Sequence, residues 1–327
     1  MKRPGQAPFF PGIQYLRGFA ALYVVTYHAN SDFHFPILAN GYLGVQLFFM
    51  ISGFLMTFIH GQDRGLAAAA NFVRKRLIRI YPAYMIAFVP VVLIFHFMPS
   101  KGFAWHRDPV NIVRNFFLLH NPSQSILGVS WTLVYELMFY AIFCAWVIIL
   151  RQHIYRLLSG WLVLILANTY FFQLPTGKLL FLDQINLYFI AGCFIALFYQ
   201  RIPYKTNGVL LLLALVVFVL CPFFSTATIT IFTTCFILCA ICVLYEPVQQ
   251  FRFLIELGNA SYSIYLTHLT IIAVVTTFVK QPWIIPVLFL ICSVAGLLFY
   301  RYIERPTLKF LSKYPLTVPT AAQAKPG

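Results

Sequence analysis

The chain has 327 residues, of which 61% are hydrophobic and only 9% charged, whereas a soluble domain carries about 25% charged residues. That composition excludes a soluble globular fold and leaves lipid as the solvent for most of the chain. The formal net charge of +15 could suggest nucleic acid as a partner, but basic residues flanking apolar spans are the usual topogenic signal.

A helix needs about 20 mostly apolar residues to cross the hydrocarbon core, and such stretches recur from residue 13 to the region of residue 305. The expected fold is an all-α polytopic membrane domain over 13–305. It has ten transmembrane helices, centred near residues 23, 50, 90, 141, 166, 192, 216, 237, 269 and 293. Residues 1–12 form a short cytoplasmic N-terminus without a signal-peptide cleavage site. Residues 306–327, rich in proline and small polar residues, read as a disordered cytoplasmic tail.

With the N-terminus inside, 18 of the 23 Lys and Arg residues fall on the cytoplasmic side, and only Lys101, Arg107, Arg114, Lys178 and Lys280 fall outside. This asymmetry favours ten spans with both termini cytoplasmic and removes the main support for nucleic acid. The seven cysteines lie in apolar stretches and lack zinc-ligand spacing, so they read as packing residues and no metal site is expected.

Ionisable groups within spans are costly and mark functional candidates. In the first span Arg17 and His28 are eleven residues apart, about 1100° of helix or roughly 20° past three full turns, so both share a face about 16 Å apart along the axis. Between the second and third spans, Arg76 and Arg79 sit at i and i+3 in RKRLIRIYPAY, a spacing that suits a phosphate-rich ligand. Its structural alternative is a positive-inside cluster at the headgroups.

The fourth span opens with Ser130, Trp131 and Thr132 and carries Glu136 more than a turn inside an apolar run. A lone buried carboxylate needs a partner; the candidates are His28 or an outer-loop arginine such as Arg107 or Arg114. His268 lies in the ninth span, and Glu304 closes the last beside Arg305 and Pro306, where helix capping and a local ion pair are the simplest roles.

Taken in order, these segments resemble the acyltransferase type 3 family, which includes O-antigen and exopolysaccharide O-acetyltransferases. The motifs are R-x10-H in LRGFAALYVVTYHA, GVQLFFMISGFLM, R-x-x-R, SWTLVYELMFY, ASYSIYLTH and YIERP, and they cover nearly the whole chain. One departure is Gln46, where the family usually has aspartate; Gln46 keeps a hydrogen bond without the charge. Relatives with a fused extracytoplasmic esterase-like domain differ from this transmembrane module.

The resemblance implies a bacterial inner-membrane enzyme that moves an acetyl-type group from cytoplasmic acyl-coenzyme A to a hydroxyl of a cell-surface polysaccharide or its lipid-linked precursor. In that scheme Arg76 and Arg79, helped by Arg17, hold the phosphates of acetyl-CoA, with no permanently bound cofactor. His28 is the general base, oriented by Glu136, with an acyl-histidine intermediate as the other route. Ser130, Trp131 and His268 surround the transfer chamber, and Trp131 alternatively anchors an aromatic belt. The rival from another class is a transporter or flippase, for which inverted or parallel repeats would be the sign, and none is visible.

Overall fold

The computed structural model describes residues 9–314 apart from Pro99, Lys101, His120, Asn121, Leu150, Arg151, Gln152, Lys178, Gln200, Pro203 and Ser225. Of the charges used above to assign sides, Lys2, Arg3, Lys101, Arg151, Lys178 and Lys325 therefore lie outside the described residues, as do residues 1–8 and 315–327.

The described residues are predominantly helical, without named strands. In chain order they form α1 (Pro11–Ala29), α2 (Leu43–His60), α3 (Leu66–Phe97), the short α4 (Pro109–Phe116), α5 (Ser130–Phe143) and α6 (Ile154–Ala167). There follow α7 (Asn186–Tyr199), α8 (Gly208–Phe224), α9 (Thr228–Leu244), α10 (Arg252–Phe278), α11 (Ile284–Phe299) and α12 (Arg305–Ser312). A wide π turn extends α5 through Cys144–Ile149, and another, Tyr300–Glu304, joins α11 to α12.

Each of the ten expected centres coincides with a helix, and six helical segments are long and apolar enough to cross a membrane: Pro36–His60, Leu66–Phe97, Ser130–Ile149, Ile154–Phe172, Arg252–Phe278 and Ile284–Ser312. Helices α7, α8 and α9 are apolar but shorter; at 14 residues α7 is about 21 Å long, less than the hydrocarbon thickness of about 30 Å. The outer face of α8 shows why water is excluded as its solvent: Val209, Leu212, Leu213, Val216, Val217 and Leu220 are all exposed on one helix.

One expectation changes at the C-terminal end. Pro306 does not stop the helix. Proline lacks the N–H that would bond back to residue 302 and crowds that carbonyl; the chain accommodates it by widening the preceding turn to the π form, then continues as α12. Residues 306–312, expected in the tail, are thus helical.

The helices that carry the candidate residues are brought close by glycines. A β-carbon on Gly258 of α10 would lie 2.1 Å from the Gln14 carbonyl oxygen of α1, and one on Gly18 would meet Leu257 and Gly258 at 3.1–3.2 Å. Helix α1 therefore lies against α10 at backbone distance, the arrangement small residues permit in membranes. Gly53 of α2 and Gly192 of α7 seat those helices in the same way, against Phe189 and Met50 backbones. Beside them Phe189 stacks on Phe139 with centroids 4.4 Å apart, which fixes α5 to α7.

Candidate active site

A cavity of about 130 Å³ opens between five helices. Arg17 comes from α1, Ser52 and Phe48 from α2, Arg76 and Arg79 from α3, Thr132, Glu136 and Tyr140 from α5, and Ser261, Tyr262 and Tyr265 from α10. Four charged side chains from three stretches far apart in sequence thus converge on one interior space. Three buried polar atoms on it or next to it have no hydrogen-bond partner among the described residues: Arg76 Nε, Ser261 Oγ and His268 Nε2. Buried polar groups are ordinarily satisfied, so these atoms are free to meet a polar group that enters the cavity.

The two arginines of the R-x-x-R pair differ. Arg79 Nη1 is paired with Glu304 Oε1, and the guanidinium lies over the Tyr262 ring, 5.1 Å from its centroid. Ser263 Oγ donates to the other Glu304 oxygen at 2.5 Å, so this carboxylate, 2% exposed, is held from two helices. The partner of Glu304 is consequently Arg79 on α3, where the sequence suggests its neighbour Arg305, which is exposed. Arg76, one turn earlier, has no carboxylate within ion-pair distance among the described residues. Its guanidinium sits 5.7 Å from the Phe72 centroid and 5.6 Å from that of Tyr140.

Glu136 is also partnered otherwise than expected. Its Oε1 accepts from Tyr140 Oη and, at 3.2 Å, from Ser52 Oγ, and these two hydroxyls are themselves 3.2 Å apart. It lines the same cavity as Arg17, Arg76 and Arg79. Neither His28 nor Arg107 nor Arg114 is its hydrogen-bond or ion-pair partner. The reason is position along the helix: Tyr140 is one turn further along α5 on the same face, whereas His28 lies at the far end of α1 from Arg17.

His28 meets His268 instead, with ring centroids 5.2 Å apart. His268 is fully buried, and its Nδ1 lies 2.8 Å from the Tyr265 carbonyl oxygen. A carbonyl only accepts, so Nδ1 carries the hydrogen and Nε2 presents a lone pair, unpartnered. Arg17 and His28 do share the face of α1 that looks along α10, as the helical arithmetic requires. Arg17 borders the cavity at Ser261 and Tyr262, and His28 borders His268 two turns on. Tyr265 stands between the two, bonded to Thr132 at 3.1 Å and 5.7 Å from the His268 ring.

Ser130 and Trp131 do not line the cavity. Ser130 is fully buried at the start of α5 and hydrogen-bonds Tyr84 of α3, while Trp131 packs edge-on against Phe49 and Tyr135. Gln46, with its amide turned to donate, reaches the carbonyls of Tyr42 at 3.0 Å and Leu43 at 3.2 Å, bonds an aspartate could not make. Sequence reasoning missed Ser52, Tyr140, Tyr262 and Tyr265. For Tyr140 the signal was present, since it stands at i+4 from Glu136.

Outside the cavity, a groove of about 470 Å³ runs between α3 and α12, lined by Arg74, Lys75, Arg76, Ile78, Arg79, Leu308, Lys309 and Ser312. Arg74 holds α12 in place by donating to the Leu311 carbonyl at 2.6 Å and to that of Tyr314, where the helix end leaves carbonyls free. Arg76 and Arg79 border both the groove and the cavity.

A family model described as an acyltransferase domain matches residues 10–304. The chain is similar to the putative peptidoglycan O-acetyltransferase YrhL of Bacillus subtilis strain 168, at 27% identity over 91% of this chain and 55% of the relative. It is similar to O-acetyltransferase OatA of Staphylococcus aureus, at 25% identity over 92% of this chain and 57% of the relative. A shorter likeness, 35% identity over 25% of this chain and 14% of the relative, links it to a putative O-acetyltransferase of S. aureus strain COL. The chain thus spans a little over half the length of the first two relatives, and no solved structure gives a significant match. With the family model spanning residues 10–304, the chain belongs to the acyltransferase type 3 family.

Proposed function

We propose that the chain is a multi-pass membrane O-acetyltransferase that takes an acetyl group from acyl-coenzyme A and passes it to a glycan hydroxyl. The observation that carries this reading is the sharing of Arg76 and Arg79 between a basic outer groove and an interior cavity. A donor with a phosphate-bearing head and a long acyl arm fits such a divided site. The relatives' names support acetyl as the group, and that of the first, a putative peptidoglycan O-acetyltransferase, supports a glycan acceptor, which we take as a polysaccharide or its lipid-linked precursor.

In this reading all ten helices centred on the expected spans cross a bacterial plasma membrane, with the groove and both termini on the cytoplasmic side, in keeping with the 18 to 5 distribution of basic residues. The donor phosphates meet Lys75, Lys309 and Arg76, with Arg79 contributing less because Glu304 already neutralises it. The acyl arm passes Arg17 and Tyr265 toward the histidine pair.

His28 removes the proton of the acceptor hydroxyl as its oxygen attacks the thioester carbonyl carbon. The carbon–sulfur bond breaks, the ester forms, and the proton on His28 returns to the leaving thiolate. His268, its tautomer set by the Tyr265 carbonyl, borders the charge that appears on His28. Glu136 supplies counter-charge to Arg17, Arg76 and Arg79 in the cavity, and among the described residues no carboxylate orients His28.

The test is detergent-purified protein with radiolabelled acetyl-coenzyme A and a membrane glycan extract. Transfer by wild type that is lost in His28→Ala, and is weakened in Arg76→Ala through donor affinity, is the expected result. No transfer with any acyl donor, together with substrate-dependent flux in liposomes, would replace this reading with a transporter.

A further inference from the structure

Helix α2 ends at His60, beside the arginine pair of α3 and absent from every motif described above. Its side chain is 4% exposed, an unusual depth for a histidine at a helix end, and it lies edge-on to Phe72 with ring centroids 5.0 Å apart. Both ring nitrogens are engaged. Nδ1 is 2.7 Å from Asp63 Oδ2, and Nε2 is 3.4 Å from Arg76 Nη2.

These two contacts determine the imidazole's protonation. A guanidinium has donors only, so Nε2 accepts from Arg76, and the one hydrogen of the neutral ring sits on Nδ1 and is donated to Asp63. Asp63 therefore acts through the ring, fixing its tautomer and its angle, and itself stays off Arg76.

The consequence for Arg76 is the opposite of what Glu304 does for Arg79. A carboxylate on Arg76 would hold it firmly and cancel its charge. A neutral imidazole accepts one N–H, the rings of Phe72 and Tyr140 lie 5.7 and 5.6 Å from the guanidinium carbon, and the positive charge is left whole. The buried, unpartnered Nε of Arg76 shows that a donor on this side chain remains to be used.

We propose that His60, oriented by Asp63, is a positioning residue that holds Arg76 as an un-neutralised cation at the junction of groove and cavity, ready for a phosphate oxygen of the acyl donor. The proposal rests on the reading that Arg76 meets the donor phosphates. His60 itself touches neither donor nor acceptor.

The experiment uses the full chain in detergent and coenzyme A as the binding probe, together with the steady-state kinetics of acetyl transfer. His60→Leu removes the acceptor and is expected to weaken coenzyme A binding about tenfold, the scale of one hydrogen bond to a charged group. It should raise the KM for the donor while kcat is retained. His60→Gln, which can present an acceptor to Arg76 and a donor to Asp63, is expected to restore affinity to within about threefold, a rescue that a merely packed histidine would not show.

Arg76→Ala separates the proposal from the reading beneath it. If Arg76→Ala binds coenzyme A as wild type does, the assignment of the donor site fails. If Arg76→Ala loses binding while His60→Leu keeps wild-type affinity, the His60 proposal is overturned and the donor site stands. Should His60→Leu not fold, Asp63→Ala, at a partly exposed position, carries the test. A drop in affinity of about threefold or more then supports the proposal, and unchanged affinity overturns it.

Discussion

Arg79 on α3 and Glu304 at the end of the π turn after α11 form an ion pair across 225 residues of sequence, with the carboxylate buried and further held by Ser263. The pair ties the basic end of α3 to the helix that leads into α12, and so it fixes both walls of the outer groove. Because the glutamate is buried and the arginine partly open to the cavity, removing either partner leaves an uncompensated charge of unequal cost.

Glu304→Ala is accordingly expected to destabilise the protein by about 3 kcal/mol, the lower end of the range for breaking a buried pair. The double variant Arg79→Ala with Glu304→Ala should recover part of that loss, since no unpaired charge remains. Thermal melting of the four proteins of the cycle in detergent measures the coupling. Additive losses would show that the pair contributes nothing beyond its separate side chains.

The Glu136 cluster yields a second expectation. Tyr140 and Ser52 both donate to Oε1, and a hydrogen bond to a buried charged group contributes about 1.5–3 kcal/mol. Tyr140→Phe should therefore slow transfer about tenfold at saturating donor. Ser52→Ala should act less, because its bond is the longer one at 3.2 Å. Initial rates with labelled acetyl-coenzyme A check both, and a Tyr140→Phe enzyme with wild-type rate would remove Glu136 orientation from the account.

Much of this site was legible in the sequence, and what was not has a common physical cause. Periodicity placed Arg17 and His28 on one face of α1, and apolar run length placed a helix at each expected centre. Partnership between helices was illegible, because it depends on which helices adjoin and at what height. Glu136 therefore seemed to need His28 when its own helix supplied Tyr140 one turn away. Glu304 seemed to answer its neighbour Arg305, although the π turn before Pro306 carries it to Arg79. His60 carries no signature in the sequence because its meaning lies wholly in two contacts, Asp63 nearby and Arg76 on the next helix.

The histidine pair gives a third expectation. General base catalysis contributes about 10²–10⁴-fold, so His28→Ala should lose transfer by that factor while binding coenzyme A normally. His268→Asn keeps a donor to the Tyr265 carbonyl but removes the lone pair at Nε2. A smaller loss, about tenfold, is expected in kcat with the donor KM unchanged. Equal losses in the two variants would shift the base from His28 alone to the pair acting as one unit.

The approach of α1 to α10 offers a test at a residue far from any reacting group. A β-carbon at Gly258 would fall 2.1 Å from the Gln14 carbonyl oxygen, well inside contact distance, and the obstacle is backbone that cannot swing aside. Gly258→Ala should therefore force the two helices apart, at a cost of about 1–3 kcal/mol for overpacking. The displacement passes along rigid helices to His28 and His268, whose rings face each other across the same interface. Since a misplacement of about 1 Å can cost about 10²-fold in rate, transfer should fall further than stability alone explains. Melting temperature and kcat measured on one preparation separate the effects; a variant that melts early but retains wild-type kcat when folded would show that the histidine pair tolerates the shift.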